Sequence, residues 1–224
     1  NPAIEQTWRD IIDLDVSRAF YDDFLDLFAS DIVKLYPAVF PDEETLRGLR
    51  LGLRETDGFD QADILLDAQI CGNTPVTRTR SVKPNHIDSH RKLFAGLLYL
   101  RRDDDDSVGG DLEVRRFRPE YSGRGRARCY DGVYVDNGCT DLVETVRYEK
   151  NVLVMFINSL ESLHGVTPRH TTPHTRLFMN LMGEVKTPLF GVPRTFRTHV
   201  KKLQRQVKKR LVRLAGGEYV DPYK

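Results

Sequence analysis

The chain has 224 residues, of which 40% are apolar, 30% charged and 9% aromatic, with a formal net charge of +1. That suffices for one substantial core, and no apolar run approaches the roughly 18 residues that cross a bilayer, so an integral membrane protein, a collagen and a bare coiled coil are excluded. The charge is uneven: residues 1–70 carry 6 Lys/Arg against 16 Asp/Glu, residues 194–224 carry 10 against 2, and the middle is nearly balanced, which marks three zones with different neighbours.

The acidic head reads as helical. Ile11, Ile12, Leu14, Val16, Phe20, Phe24, Leu27 and Phe28 recur at three- and four-residue steps, with Asp13, Asp22, Asp23 and Asp26 on the other face. Pro37 and Pro41 end that run, because proline removes the N–H a helix needs. PDEETLRGLRLGLRE then offers a second, short helix with an acidic start. From about residue 78 the texture changes to short apolar or alternating runs bounded by Gly, Pro, Asn or Asp. They include VTRTRSVKPNHID, KLFAGLLYLRR, GGDLEVRRF, GVYVD, LVETVRYEKN, NVLVMFINS, SLHGVTPR and TRLFMNLMGEV. Repeated short strands with turn signals imply an all-β sandwich or barrel rather than alternating βαβ units. DDDDSVGG reads as a solvated hairpin loop, and it lacks the twelfth-position Glu of a calcium loop. In the tail, Phe196, Val200, Leu203, Val207, Leu211 and Leu214 form a helical stripe that stops at Gly216–Gly217.

Cys71, Cys129 and Cys139 are odd in number and contain no CxxC pair, so neither a disulfide framework nor a thiolate zinc site is expected. NPAIEQTWRDIIDLD has no basic-then-apolar leader pattern, and the expected compartment is the cytoplasm.

Of six histidines, His86 belongs to His86-Ile87-Asp88. Residues i and i+2 of a strand project from the same face, so this spacing aims an imidazole and a carboxylate at one point. A second imidazole from a distant strand would complete a two-histidine, one-carboxylate facial set, which leaves positions open on a ferrous ion. His164 in SLHGVTP, directly after the apolar run NVLVMFINS, is the natural candidate. His90, His170 and His174 lie near these residues and read as polar surface. Arg91 and Lys92 either meet an anionic ligand or are solvated strand-end charge.

The order of HxD, GGDL, a buried strand, HGVTP and an arginine on the next strand resembles the iron(II)/2-oxoglutarate-dependent dioxygenases, especially their prolyl-hydroxylase-like branch, over residues 78–185. The resemblance implies a mainly β fold: a double-stranded β-helix (jelly-roll) core with flanking helices. It divides the chain into a helical region packed on the barrel (1–77), a catalytic core (78–190) and a basic C-terminal helix and tail (191–224). It further implies that His86, Asp88 and His164 bind Fe(II) and are the catalytic residues, and that Arg176 clamps the far carboxylate of 2-oxoglutarate, with Tyr99 as a further cosubstrate contact. The implied reaction consumes O2, with ascorbate as a stimulant, and hydroxylates an unactivated C–H bond of a small-molecule or peptidyl substrate, releasing succinate and CO2. TPRHTTPH lengthens the turn before Arg176 beyond the commonest family spacing, which leaves Arg169 as a rival clamp, disfavoured because turn residues are usually exposed. RRFRPEYSGRGRARCYDG, with five arginines from Arg116 to Arg128, reads either as a lid at the barrel mouth that favours acidic substrates or as a solvated insertion.

The nine Lys/Arg between Arg194 and Arg213 have three readings. Docking of this helix on the acidic head ranks first, a homodimer through the same helix is the alternative, and contact with nucleic acid or anionic lipid ranks last. Two non-enzymatic readings stand beside the oxygenase: a lectin-like or cupin-like jelly-roll binding module, and a nucleic-acid or anion binder using the tail.

Overall fold

The computed structural model describes residues 5–121 and 123–191, together with Val207. The basic tail helix expected over 196–214 otherwise lies outside the described residues.

The head is helical, but its long apolar run is split in two. Helix α1 (Gln6–Asp15) stops at Val16, and the Ser17 hydroxyl then caps α2 (Arg18–Leu35) by accepting from Phe20 N at 3.2 Å. Helix α2 ends just before Pro37, and Asp42 caps the short α3 (Glu43–Arg47) by accepting from Thr45 N at 2.7 Å. The buried stripe of α2 is Tyr21, Phe24, Leu25, Ala29 and Ile32. It packs on Ile64, Leu66, Leu93, Phe94 and Val185, with the Phe24 and Phe94 rings 4.2 Å apart. Each large apolar side chain sequestered there contributes about 1.5–3 kcal/mol of transfer free energy.

Ten strands follow among the described residues: β1 (Leu51–Leu53), β2 (Ile64–Asn73), β3 (Lys92–Tyr99), β4 (Leu112–Phe117), β5 (Tyr130–Asp131), β6 (Tyr134–Val135), β7 (Thr140–Val146), β8 (Leu153–Ile157), β9 (Leu163–Val166) and β10 (Arg176–Val185). The major sheet has the order β1-β2-β10-β3-β8, antiparallel except for β1 beside β2. The minor sheet has the order β7-β4-β9. Tyr99, Leu112 and Tyr148, with Leu97, Val114, Val154 and Phe178, fill the space between the two sheets. Among the described residues the fold is mainly β with three α-helices, and the sheets stay open rather than closing into a barrel.

Several expectations are corrected. Strand structure starts at Leu51, inside the stretch read as purely helical, and β2 lies between β1 and β10. The inner face of β2 carries Cys71 and Asn73 where an apolar alternation would have advertised a strand. Segment 76–87 is held by isolated bridges (Val76 to Thr172, Arg80 to Arg169, His86 to His164) rather than by a regular strand. The acidic loop is not simply solvated: Asp105 and Ser107 are buried, and the Arg101 guanidinium donates to the carbonyls of Asp105, Ser107 and Tyr148. Cys129 and Cys139 form a disulfide, which the odd cysteine count concealed, while Cys71 is free. It ties down the arginine-rich segment, which forms 3-10 turns at Pro119–Tyr121 and Gly123–Cys129. There Arg126 stacks on Phe117 and pairs with Glu161, Arg128 stacks on Tyr121, and Arg118 pairs with Asp141.

Candidate metal centre

His86 and His164 meet because the 85–87 segment runs antiparallel beside β9. His86 N donates to His164 O at 2.8 Å, and His164 N donates back to His86 O at 3.1 Å. Gly165 permits this approach, since a Cβ there would stand 3.0 Å from Asn85 N. On its other edge the segment pairs with β6, through Ile87 N to Val133 O and Val135 N to Asn85 O, both at 2.9 Å. Asp88 opens the turn into β3, and Asn158 braces that turn by donating to Ser89 O at 2.7 Å and Lys92 O at 3.0 Å.

One donor atom from each of His86, Asp88 and His164 lies within 4.8 Å of the other two. All three residues are buried, and the imidazole rings are 4.2 Å apart. Nδ1 of His86 is 2.9 Å from Pro84 O, and Nδ1 of His164 is 2.9 Å from Ser162 O. A carbonyl oxygen only accepts, so both Nδ1 atoms carry the proton and both Nε2 atoms keep a lone pair. Nε2 of His86 is buried without a hydrogen-bond partner, 3.6 Å from Asp88 Oδ1. An orphaned imidazole lone pair beside a carboxylate is costly unless something electropositive fills it. The donor set and its backbone supports fit a divalent transition metal.

Protonation agrees with that fit. Burial pushes both imidazoles down, His164 to about 4, so both are neutral at pH 7. Burial alone would raise the Asp88 carboxyl, but contact with the His86 ring and the ammonium charges of Lys92 and Lys83 hold it well below the usual carboxylate range. Neutral imidazoles and an ionised carboxylate are the forms that ligate.

The three residues open on a cavity of about 380 Å³ between the sheets. Leu97, Leu112, Phe156, Val166 and Phe178 supply apolar wall, and Asn73, Asn180, Lys83, Lys92 and Arg176 supply the polar groups. Arg176, at the start of β10, is buried. Its Nε donates to Gly110 O at 2.8 Å and its Nη1 to Asn73 Oδ1 at 3.3 Å, while Nη2 is buried without a partner. The rings of Tyr99, Tyr148 and Phe178 flank the guanidinium at 4.9–5.0 Å. Tyr99 is thus not among the cavity-lining residues but under Arg176, with its hydroxyl buried.

Arg169, expected to be an exposed turn residue, is also buried, and its Nη1 and Nη2 are spent on the backbone while its Nε is buried without a partner. It donates to Asn73 O at 3.3 Å, Thr74 O at 2.9 Å and His174 O at 2.8 Å, and it does not line the cavity. Among the described residues the other histidines stay apart from the cluster: His174 pairs with Asp106 at 3.2 Å, and His90 and His170 contribute no donor atom to it. Asn73, Asn180 and Lys83 went unnoticed in the sequence because nothing local marks them as inward-facing.

No protein-family model matches the chain, and no curated protein matches it. Among solved structures, a prolyl 4-hydroxylase from Phytophthora capsici matches at 16% identity with a TM-score of 0.30. The match spans 55% of this chain and 33% of that protein, so the chain covers about a third of that protein's length.

Proposed function

We propose that the protein is an iron(II)- and 2-oxoglutarate-dependent dioxygenase that hydroxylates an unactivated C–H bond of a second organic substrate, releasing succinate and CO2. One observation carries the reading: a single cavity holds two imidazoles and a carboxylate within 4.8 Å of one another, together with a buried arginine that has an N–H to spare. Bound iron would supply O2 activation, with 2-oxoglutarate as the two-electron co-reductant. The chain's own residues do the positioning. His86 and His164 keep their protons on Nδ1 and present Nε2, and Asp88 supplies the anionic ligand. Arg176 offers a fork-shaped donor suited to the far carboxylate of 2-oxoglutarate, and the aromatic rings around it hold the fork rigid. The apolar walls exclude water from the reacting centre.

In this reading the two sheets are the halves of a double-stranded β-helix, and the acidic helices buttress the major sheet. The Cys129–Cys139 disulfide favours an oxidising compartment over the cytoplasm. The test is succinate release from labelled 2-oxoglutarate with Fe(II) and ascorbate, screened over substrate pools, with His164→Ala and Asp88→Ala as controls. Succinate formation that depends on both residues is the expected result. A wild-type chain that binds no divalent metal and releases no succinate refutes the proposal.

A further inference from the structure

The cavity contains more positive charge than its own acid can balance. Lys83, Lys92 and Arg176 line it, and Asp88 is the single carboxylate among the lining residues. Arg176 is engaged by Asn73 and Gly110, whereas both lysines converge on Asp88. Lys92 Nζ is 3.1 Å from Oδ2 and Lys83 Nζ is 3.6 Å from Oδ1. One carboxylate neutralises one ammonium. If that carboxylate also serves a divalent cation, as the proposed function requires, both ammonium groups are left beside further positive charge. Lys92 is largely removed from solvent, where a cation without counter-charge is expensive, and Lys83 adds a second charge at the opening, so the arrangement is complementary to an incoming anion.

The two lysines are differently mounted. Lys92 begins β3 with its side chain 17% exposed, so it points into the wall of the cavity. Lys83 is 48% exposed at its side chain, yet its backbone is pinned, its carbonyl accepting from Val166 N at 2.9 Å. A ligand entering from solvent therefore meets Lys83 first and Lys92 next, on the way to the cluster of His86, Asp88 and His164.

We infer that Lys83 and Lys92 form an oxyanion site for the primary substrate, separate from the Arg176 end, and that this substrate carries a carboxylate or a phosphate monoester close to the carbon that is oxidised. That the anion is a substrate rests on the proposed function, as does the further charge a cation on Asp88 would add; the excess of three cationic side chains over one carboxylate does not.

The experiment is calorimetric titration of the Co(II)-loaded full chain with acetate, methyl phosphate and uncharged acetamide, in the absence and in the presence of saturating 2-oxoglutarate. Acetate and methyl phosphate separate the two oxyanion chemistries. At least one of them should bind about tenfold or more tightly than acetamide, the effect of one charge-assisted hydrogen bond. Lys83→Met should erase that preference, and Lys83→Arg should keep it. Equal affinity for acetamide and both anions, or undiminished anion binding in Lys83→Met, overturns the inference. If 2-oxoglutarate fails to bind, the oxygenase reading falls, while the series run without it still reports on the lysines.

Discussion

Replacing Arg176 by Met removes the charge while keeping an unbranched side chain among Tyr99, Tyr148 and Phe178. The guanidinium already donates to Gly110 O and Asn73 Oδ1, so its free group is the buried Nη2. A carboxylate meeting that N–H faces a cation that is already desolvated and held between three rings at 4.9–5.0 Å. A hydrogen bond with a charged partner contributes about 1.5–3 kcal/mol, and a doubly charged, pre-organised one sits at the upper end. The expected loss is therefore about 3 kcal/mol, or roughly a hundredfold in the Kd of 2-oxoglutarate. Pyruvate has the same keto-acid head without the far carboxylate, so it completes a double cycle of ligand and residue. Titration of the Co(II)-loaded protein should show 2-oxoglutarate weakened about a hundredfold by Arg176→Met and pyruvate nearly unchanged. Equal weakening of both ligands would mean that the substitution acts through the fold.

Arg169 supplies the matching control. Its guanidinium holds the 73–74 and 174 carbonyls, so Arg169→Met leaves three backbone acceptors short of a donor and should lower Tm. The ratio of 2-oxoglutarate to pyruvate affinity should not change. If Arg169→Met reproduces the selective loss of 2-oxoglutarate and Arg176→Met does not, the two arginines have exchanged roles.

Three further outcomes are expected. Co(II) at a hundred times its Kd should stabilise the wild-type chain against urea by about 2.7 kcal/mol, and His86→Ala, Asp88→Ala or His164→Ala should lose most of that gain; an unchanged gain in any of them removes that residue from the ligand set. Gly110 has φ +88°, and a Cβ there would lie 3.1 Å from Arg176 Cδ and 3.2 Å from its Nε. Gly110→Ala should cost roughly 1–2 kcal/mol in backbone strain and reproduce the Arg176→Met ligand signature in milder form, which a wild-type ratio of the two keto-acid affinities would contradict. In the metal-free protein, His164 titrates at about 4 against an ordinary value of 6.5. The unfolded chain therefore takes up this proton first, and stability is full above about pH 6.5 and falls as pH drops toward 4. Urea midpoints in chelator across that window should show the slope, and His164→Gln should flatten it.

What the sequence revealed and what it hid divide along one physical line. Features whose geometry is local were legible. His86 and Asp88 share a face because they are two residues apart in extended chain, and the helix stop before Pro37 follows from one missing N–H. Features created by non-local pairing were not. Arg169 looks like a turn arginine in TPRHTTPH, and only the approach of carbonyls from 73–74 turns it inward. Strand β2 is hidden because its cavity face is polar, and those polar residues, Asn73 among them, are part of what the cavity needs. Lys83 is the sharpest case. Nothing within several residues marks it, and it reaches Asp88 because β9 captures its carbonyl through Val166. The same strand presents His164, so one antiparallel pairing of 83–86 with 164–166 sets both the histidine pair and the lysine beside it. A substitution that slipped this register by one residue would turn every side chain of the segment to the opposite face and remove both at once.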